Sequence, residues 1–338
     1  MTKRSSLRPV AFAALASAQV CVISAALGGC DDGIPGELIP KDSGSFDVSK
    51  PDGAIDDGGA DSDAPFVPPP SACDPKASWT TGTLVPNVST AQPDSFGAIT
   101  ADELTIAWMS VAGTVQYADR AAATDPFGPT KTLTGPIALE RVALSGDGLT
   151  LVVLRNDRKI FAQVTRASRS TDFGTALDTG PFASLDPASS GMEDGGDAGG
   201  TGTFGDPVLS PDGHFFYYSV LGGGTTTIAE SYRNGTNPWP KGRFLTNPEL
   251  QSDMTGKLRR PTGVSTDSRT LFFWDEVDGV EKMTFRGDPI LVPFNVFGEF
   301  TTIGATFANA QPTAKCQRIY YDAPGSVGST DLFFADRN

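Results

Sequence analysis

A short polar turn followed by a burst of strand-forming residues recurs five times along this chain. A repeat at a steady period constrains architecture before any single residue is weighed. The clearest copy is Ser210-Pro211-Asp212-Gly213-His214, leading into Phe215-Phe216-Tyr217-Tyr218. Looser copies are Thr100-Ala101-Asp102-Glu103, Ser145-Gly146-Asp147-Gly148 and Ser265-Thr266-Asp267-Ser268, each before a run of β-branched, aromatic or other apolar residues. The fifth, Thr313-Ala314-Lys315-Cys316 before Ile319-Tyr320-Tyr321, lacks the aspartate. Asp bonds its own local backbone, Gly tolerates positive φ, and the residues that follow suit a pleated surface.

Two further elements accompany most turns. Val115-Gln116-Tyr117-Ala118-Asp119-Arg120 is echoed by Leu332-Phe333-Phe334-Ala335-Asp336-Arg337, with Lys159-Ile160-Phe161-Ala162 and Thr227-Ile228-Ala229-Glu230 in equivalent places. An aromatic-led segment comes next, beginning at Phe127, Phe173 and Trp239. One unit therefore holds four short strands. The turns lie roughly 45 to 65 residues apart, the length of a propeller blade. The widest gap contains a Gly/Asp-rich stretch, residues 191–205, read as a loop insertion between blades.

The Ser-Pro-Asp-Gly turn with its aromatic strand resembles the TolB-like, WD-repeat-like β-propeller family over roughly residues 76–338. The resemblance implies an all-β propeller, of five blades by turn count, with six as the alternative. A β-sandwich with coincidental turns is the plain competitor. Trp79-Thr80-Thr81-Gly82-Thr83-Leu84 has the form of a unit's last strand yet precedes the first turn, and the final unit lacks that element. An N-terminal strand completing the last blade would leave no open sheet edge.

The first thirty residues read as an export signal: Lys3, Arg4 and Arg8, an apolar run over 9–26, then Leu27-Gly28-Gly29-Cys30. Leu-Gly-Gly-Cys resembles the bacterial lipobox, which implies cleavage after residue 29 and acylation of Cys30. An ordinary signal peptide and a retained membrane anchor are the alternatives. Asp31 resembles an inner-membrane retention signal of some Gram-negative systems, and the leaflet stays open. Residues 31–72 are rich in Gly, Pro, Ser and Asp, with ten acids against Lys41 and Lys50. Such a segment cannot bury enough surface to offset its ordering entropy, so a disordered tether with a reach of roughly 35 Å is expected. The domain reading is a signal peptide over 1–29, a tether over 30–72 and a propeller over 73–338.

Cysteine use follows from that compartment. Cys21 lies within the signal and Cys30 is the lipid site, which leaves Cys73 and Cys316 to form a disulfide stapling the closing strand to the last blade. Two free buried thiols are the alternative. With a net charge of −14, the chain lacks the basic surface that nucleic acid requires.

Catalytic sets are scarce. The one histidine, His214, follows a turn Gly and reads as an exposed strand start. There is no Cys-x-x-Cys pair, nucleophile elbow or phosphate loop. Neither a catalytic residue nor a metal site nor a cofactor is expected. The repeated acids Asp102, Asp147, Asp212 and Asp267 belong to turns, so a functional acid should break the repeat. Asp206, Asp253, Asp275, Glu276 and Asp278 do so, and paired axial carboxylates would suit a glycosidase. Acidic Gly-rich loops at 56–63 and 193–197 offer oxygen ligands but do not match the EF-hand loop. Among aromatics, Tyr232, Trp239, Trp274 and residues 294–300 could rim a face. The binding candidates are Trp239, Trp274, Asp275, Glu276 and Asp278. The expected function is a monomeric, lipid-anchored, non-enzymatic module of the bacterial cell envelope that binds a protein or glycan. A glycosidase-like enzyme and a purely structural envelope protein are the alternatives.

Overall fold

Turn chemistry explains where the second strand of each unit begins. The computed structural model describes residues 73–74, 77–89, 93–133, 139–185, 202–222, 225–245, 259–275, 280–286, 296–299, 308–325 and 330–338. All of these belong to the unit Ala64–Asn338. The signal, Cys30 and the tether lie outside the described residues. Ser210 Oγ donates to Asp212 Oδ1 at 2.5 Å, and that oxygen also accepts the His214 N–H at 3.0 Å. The Phe215 N–H donates back to Ser210 Oγ at 2.9 Å. The same three bonds recur at Thr100 and Asp102, at Ser145 and Asp147, and at Ser265 and Asp267. In all five copies the fourth residue's N–H donates to the first residue's carbonyl. That fourth residue is always left-handed: Glu103 at φ 63°, Gly148 at 73°, Gly213 at 72°, Ser268 at 56° and Cys316 at 49°. Glycine occupies this conformation at least cost, and the three substitutions mark units that depart from the pattern.

Each turn sits inside an antiparallel sheet, four-stranded in four of the blades and three-stranded in the second. After a short strand Thr83–Leu84 (β1), the first blade runs Asp94–Ile99 (β2), Thr105–Ser110 (β3), Val115–Asp119 (β4) and Lys131–Thr132 (β5). The second is Leu139–Leu144 (β6), Thr150–Arg155 (β7) and Phe161–Thr165 (β8), extended by a bridge between Gln163 and Asp178. The third is Thr203–Leu209 (β9), Phe215–Gly222 (β10), Thr225–Tyr232 (β11) and Arg243–Phe244 (β12). The fourth is Arg259–Val264 (β13), Thr270–Asp275 (β14), Val280–Phe285 (β15) and Val296–Glu299 (β16). The last is Ala308–Pro312 (β17), Arg318–Ala323 (β18) and Asp331–Asp336 (β19), completed by β1. Strands β2, β6, β9, β13 and β17 each contact the next, and β17 returns to β2. They therefore line the axis of a five-bladed propeller, not a six-bladed one or a sandwich. The expected loop insertion ends sooner than the sequence suggests, because Thr203 to Gly205 already belong to β9.

Closure follows the expected route. Thr83 pairs with Phe334 and Leu84 with Phe333, and Trp79 bridges Arg337. Cys73 and Cys316 form a disulfide across a Cα–Cα distance of 5.1 Å. Each of the five gaps between blades holds its own apolar cluster. Val152, Leu154, Phe161, Phe204 and Phe216 fill one, and Tyr217, Ile228, Val264 and Leu271 the next. Strands buried on both faces, such as β7 and β10, read in sequence as apolar runs rather than as alternations.

A second fivefold element is an arginine after the third strand: Arg120, Arg166, Arg233, Arg286 and Arg337. Each backbone N–H donates to the carbonyl of the residue just before the second strand. In four of them Nε donates to the carbonyl of the left-handed turn residue, at 2.6, 2.8, 3.3 and 2.9 Å. The guanidinium then lies over the aromatic that leads the fourth element, at 4.3 Å for Arg120 on Phe127, 4.4 Å for Arg166 on Phe173 and 3.9 Å for Arg233 on Trp239. Three of these arginines also reach the preceding blade. Arg166 clamps Asp119 through two bonds of 2.7 Å, Arg286 meets Glu230 and Tyr217, and Arg120 meets the Tyr320 hydroxyl at 3.0 Å. Trp239 is thus corrected from a binding candidate to a core residue. It is 1% exposed because the repeat uses it as the arginine's stacking platform.

Candidate functional site at the axial strands

Where the repeat is interrupted, charge collects. The axial strands slip register at Phe96/Ala98, Leu139/Arg141, Pro261/Gly263 and Ala308/Gln311, and β10 slips against β9 at Tyr217/Ser219. A β-bulge re-aims the side chains around it. Asp206 takes φ 25° at one such irregularity and Asn309 takes φ 56° at another, conformations unusual outside glycine.

Asp206 is the centre of the best-formed cluster. Its Oδ1 accepts Arg141 Nε at 2.7 Å and lies 4.0 Å from Arg260 Nη1, while Oδ2 accepts Ser219 Oγ at 3.1 Å. Beside it, Arg158 grips both carboxylate oxygens of Glu140. These residues border a cavity of about 130 Å³ between the second and third blades, walled further by Leu154, Leu221, Gly205 and Thr226. A Cβ on Gly205 would collide with Ser219 Oγ, so glycine is needed for the backbone to approach there. Thr226 is 1% exposed, and its hydroxyl has no partner among the described residues.

A second acidic group lies between the fourth and fifth blades. Glu281 is 2% exposed, accepts the Thr262 hydroxyl and is bonded by the Ala310 backbone. Burial, with nearby Asp322 adding repulsion, pushes its carboxyl up to about 8. Asp322 takes its own bond from Asn309 Nδ2 at 2.7 Å. A carboxyl whose folded pKa lies above its unfolded value adds stability at low pH, lost as pH climbs towards the folded value. Unfolding free energy should therefore decline between about pH 5 and pH 8, by several kcal/mol at about 1.4 per unit. Glu281→Gln should flatten that slope in urea titrations run across the range. An unchanged slope in the variant would place the titration elsewhere.

Among the sequence-nominated residues, Asp206 reaches the cavity. Asp275 is 1% exposed and held between Arg259 at 3.2 Å and Lys282 at 3.0 Å, which corrects its reading as an open binding residue. Trp274 is half-buried and pairs across strands with both Arg260 and Glu281, so it stands beside the cluster. Tyr232 packs on Phe215 at 4.9 Å. His214 is half-buried, with Nδ1 3.0 Å from the Arg233 carbonyl. Asp253, Glu276, Asp278 and both acidic glycine-rich loops lie outside the described residues. Sequence reasoning missed Arg141, Glu140, Arg158 and Arg260, and apart from their place off the repeat no local signal marks them. Among the described residues no three His, Cys, Asp or Glu side chains gather as a metal site, and no helix is long and apolar enough to cross a membrane.

A larger groove of about 590 Å³ opens where the last blade meets the first, bordered by Glu103, Arg120, Phe127, Arg318, Phe334 and Asp336. Its charges satisfy one another. Glu103 Oε2 accepts Arg120 at 3.0 Å, Arg318 at 2.9 Å and the Tyr320 hydroxyl at 3.0 Å, and Arg318 also holds Asp336 at 2.6 Å. This network ties the ring shut.

No family model matches the chain, and no curated protein matches it. Solved structures similar to it include the calcium-binding protein regucalcin from Agrobacterium tumefaciens, at 11% identity and a TM-score of 0.43, covering 72% of this chain and 71% of that one. Another is TolB from Acinetobacter baumannii, at 14% identity and a TM-score of 0.40, covering 73% of this chain and 55% of that one. A third is a nidogen/laminin complex, at 15% identity and a TM-score of 0.39, covering 68% of this chain and 72% of that one. Identities this low transfer no residue roles, and the fold assignment rests on the strand pairing itself.

Proposed function

We propose that this protein is a non-enzymatic recognition module of the bacterial envelope, lipid-anchored through Cys30, which binds a protein or glycan on the face formed by Arg141, Arg158, Asp206 and Arg260. The observation that carries this reading is the division of labour among charges. The repeated aspartates are consumed by turns, whereas charged residues that break the repeat converge on one pocket of the axial strands. The basic start, the apolar run and Leu27-Gly28-Gly29-Cys30 support the anchor, and two or more acyl chains would hold it firmly. A net charge of −14 argues against a nucleic-acid partner.

The test is capture from envelope extracts, together with a glycan array, using the full-length protein, an Arg141→Ala/Asp206→Ala variant and a variant lacking residues 191–201. Retention that depends on the axial pair supports the reading. Identical retention by all three forms removes that face as the recognition surface. Mass analysis of the mature protein should show acylated Cys30, and an unmodified N-terminus elsewhere would remove the anchor.

A glycosidase-like reading draws on Glu281, a carboxyl held protonated near neutrality. Its burial and its bonds to Thr262 and Ala310 favour a structural role. Glycoside hydrolysis that disappears in both Glu281→Gln and Asp206→Asn would reverse that ordering.

A further inference from the structure

We propose that the arginine clamp joining the second and third blades is a carboxylate-binding site, in which Arg233 and the Thr150 hydroxyl hold the anion beside the Trp239 platform. The site lies at the start of β7 and the end of β8, the opposite end of those strands from Arg158 and the axial cavity. It stands independently of the function proposed for that face.

The repeat itself supplies the template. One junction earlier, Arg166 donates Nη1 to Asp119 Oδ2 and Nη2 to Oδ1, both at 2.7 Å, and the Thr105 hydroxyl donates to Oδ1 at 2.8 Å. Thr105 and Asp119 are register partners at the start of β3 and the end of β4. Thr150 and Thr165 are register partners at the same positions of the second blade. The threonine donor is kept there, and the acid is replaced by Thr165. Arg233 is placed as Arg166 is. Its Nε donates to the carbonyl of the turn residue Gly213 at 3.3 Å, Nη1 reaches the Asn237 carbonyl at 3.4 Å, and the guanidinium lies 3.9 Å over Trp239.

Replacing the acid has two consequences. The first is electrostatic. Arg120, Arg166, Arg286 and Arg337 pair with the carboxylates of Glu103, Asp119, Glu230 and Asp74. Arg233 pairs with no carboxylate among the described residues, and burial alone lowers its pKa. Its Nε and Nη1 are spent on backbone carbonyls, which leaves Nη2 for an incoming acceptor. The second consequence is room. A Cβ on Gly148 would meet Arg169 Nε and Thr105 Oγ1, both at 2.9 Å, whereas one on Gly213 would meet nothing within 4 Å. Arg233 is half-buried and Thr165 exposed, so the anion enters from solvent. A carboxylate fits because its planar pair of oxygens meets a guanidinium edge-on, as Asp119 meets Arg166, and such charge-assisted pairs are the strong ones.

Saturation-transfer NMR of the full-length protein in detergent, at constant ionic strength, tests this with acetyl-aspartate amide against its neutral isostere acetyl-asparagine amide. Inorganic phosphate serves as competitor. The acid should bind saturably and the isostere at least about tenfold more weakly, the discrimination expected when charge-assisted bonds are lost. Thr165→Asp returns the acid to the chain. It should weaken the probe at least about tenfold and raise the thermal midpoint by about 1 to 3 °C. Thr165→Asn should do neither, and Arg233→Gln should abolish binding. The Arg141→Ala/Asp206→Ala protein should bind the probe as the parent does, which separates this site from the axial face. Absence of binding by the acid, equal binding of the neutral isostere, or tighter binding of phosphate would each overturn the inference. So would full affinity in a folded Thr165→Asp protein, or loss of binding in the axial variant.

Discussion

Reducing Cys73–Cys316, or replacing both residues by serine, is expected to lower the unfolding free energy by about 5 kcal/mol. The bond closes a loop spanning 243 positions, and loop-closure entropy of that length gives this magnitude on the chain-entropy account. The geometry supports a large effect for a second reason. The strand that shuts the ring, β1, contributes two residues, Thr83 and Leu84, to the ladder with β19. Beyond them lie the bridge of Trp79 to Arg337 and the Asn338 N–H on the Ser78 carbonyl at 3.0 Å. A latch this short relies on its staple, because losing it opens the edge of β19. Urea denaturation of the oxidised, reduced and doubly substituted proteins measures the effect. A loss below about 1 kcal/mol would show that the ladder and the apolar cluster around Tyr321 and Phe272 hold the closure unaided.

Arg286→Met should cost about 3 to 5 kcal/mol, the range for breaking a buried ion pair by removing one partner. The Arg286 side chain is fully buried. It donates to Glu230 Oε2 at 2.5 Å, to the Tyr217 hydroxyl at 2.6 Å and to the Ser268 carbonyl at 2.9 Å, with Phe215 4.5 Å beneath its plane. Its loss leaves Glu230, 1% exposed, with the Tyr217 hydroxyl and with Arg243, whose side chain is largely in solvent. Burial then acts on an under-compensated carboxylate at the junction of the third and fourth blades. Glu230→Gln in the Arg286→Met background should recover part of the loss, since most of the cost comes from the orphaned charge. Denaturation of the single and double variants completes that cycle. A single-variant cost under about 1 kcal/mol would mean that the apolar cluster carries this junction alone. Arg158, with a side chain 37% exposed, should show a much smaller effect on stability.

Both predictions trace to features that differ in how visible they are along the chain. The staple is legible because Cys73 and Cys316 flank elements whose partnership follows from the repeat. The arginine clamp is not. Asp119-Arg120 and Asp336-Arg337 are recognisable as echoes, but Arg166, Arg233 and Arg286 follow Thr165, Tyr232 and Phe285, so no shared dipeptide marks them. An arginine in a polar loop ordinarily signals a solvated surface. Here it spans a strand end, a left-handed carbonyl and a neighbouring blade, three points that meet after folding. Trp239 is hidden in the same way, since its platform role exists once Arg233 lies over it.

The candidate site shows the same division. Asp206 stands out because it breaks the repeat, yet its partners lie 65 positions away at Arg141 and 54 away at Arg260. Bulges in the axial strands aim these side chains together, and a bulge has no dependable local sequence mark.

The amino-acid sequence alone located the turns, favoured five blades over six, and supplied the closing strand and the reason for Cys73 and Cys316 to meet. Those depend on short-range hydrogen bonding at Ser, Asp and Gly and on a period that can be counted. The tertiary structure alone decided which arginines became clamps, that Asp275 and Trp239 are interior, and that Arg141, Arg158, Asp206, Arg260 and Thr226 share one cavity. Those outcomes depend on the register of five axial strands meeting around an axis, where a one-residue slip changes the face to which every later side chain points.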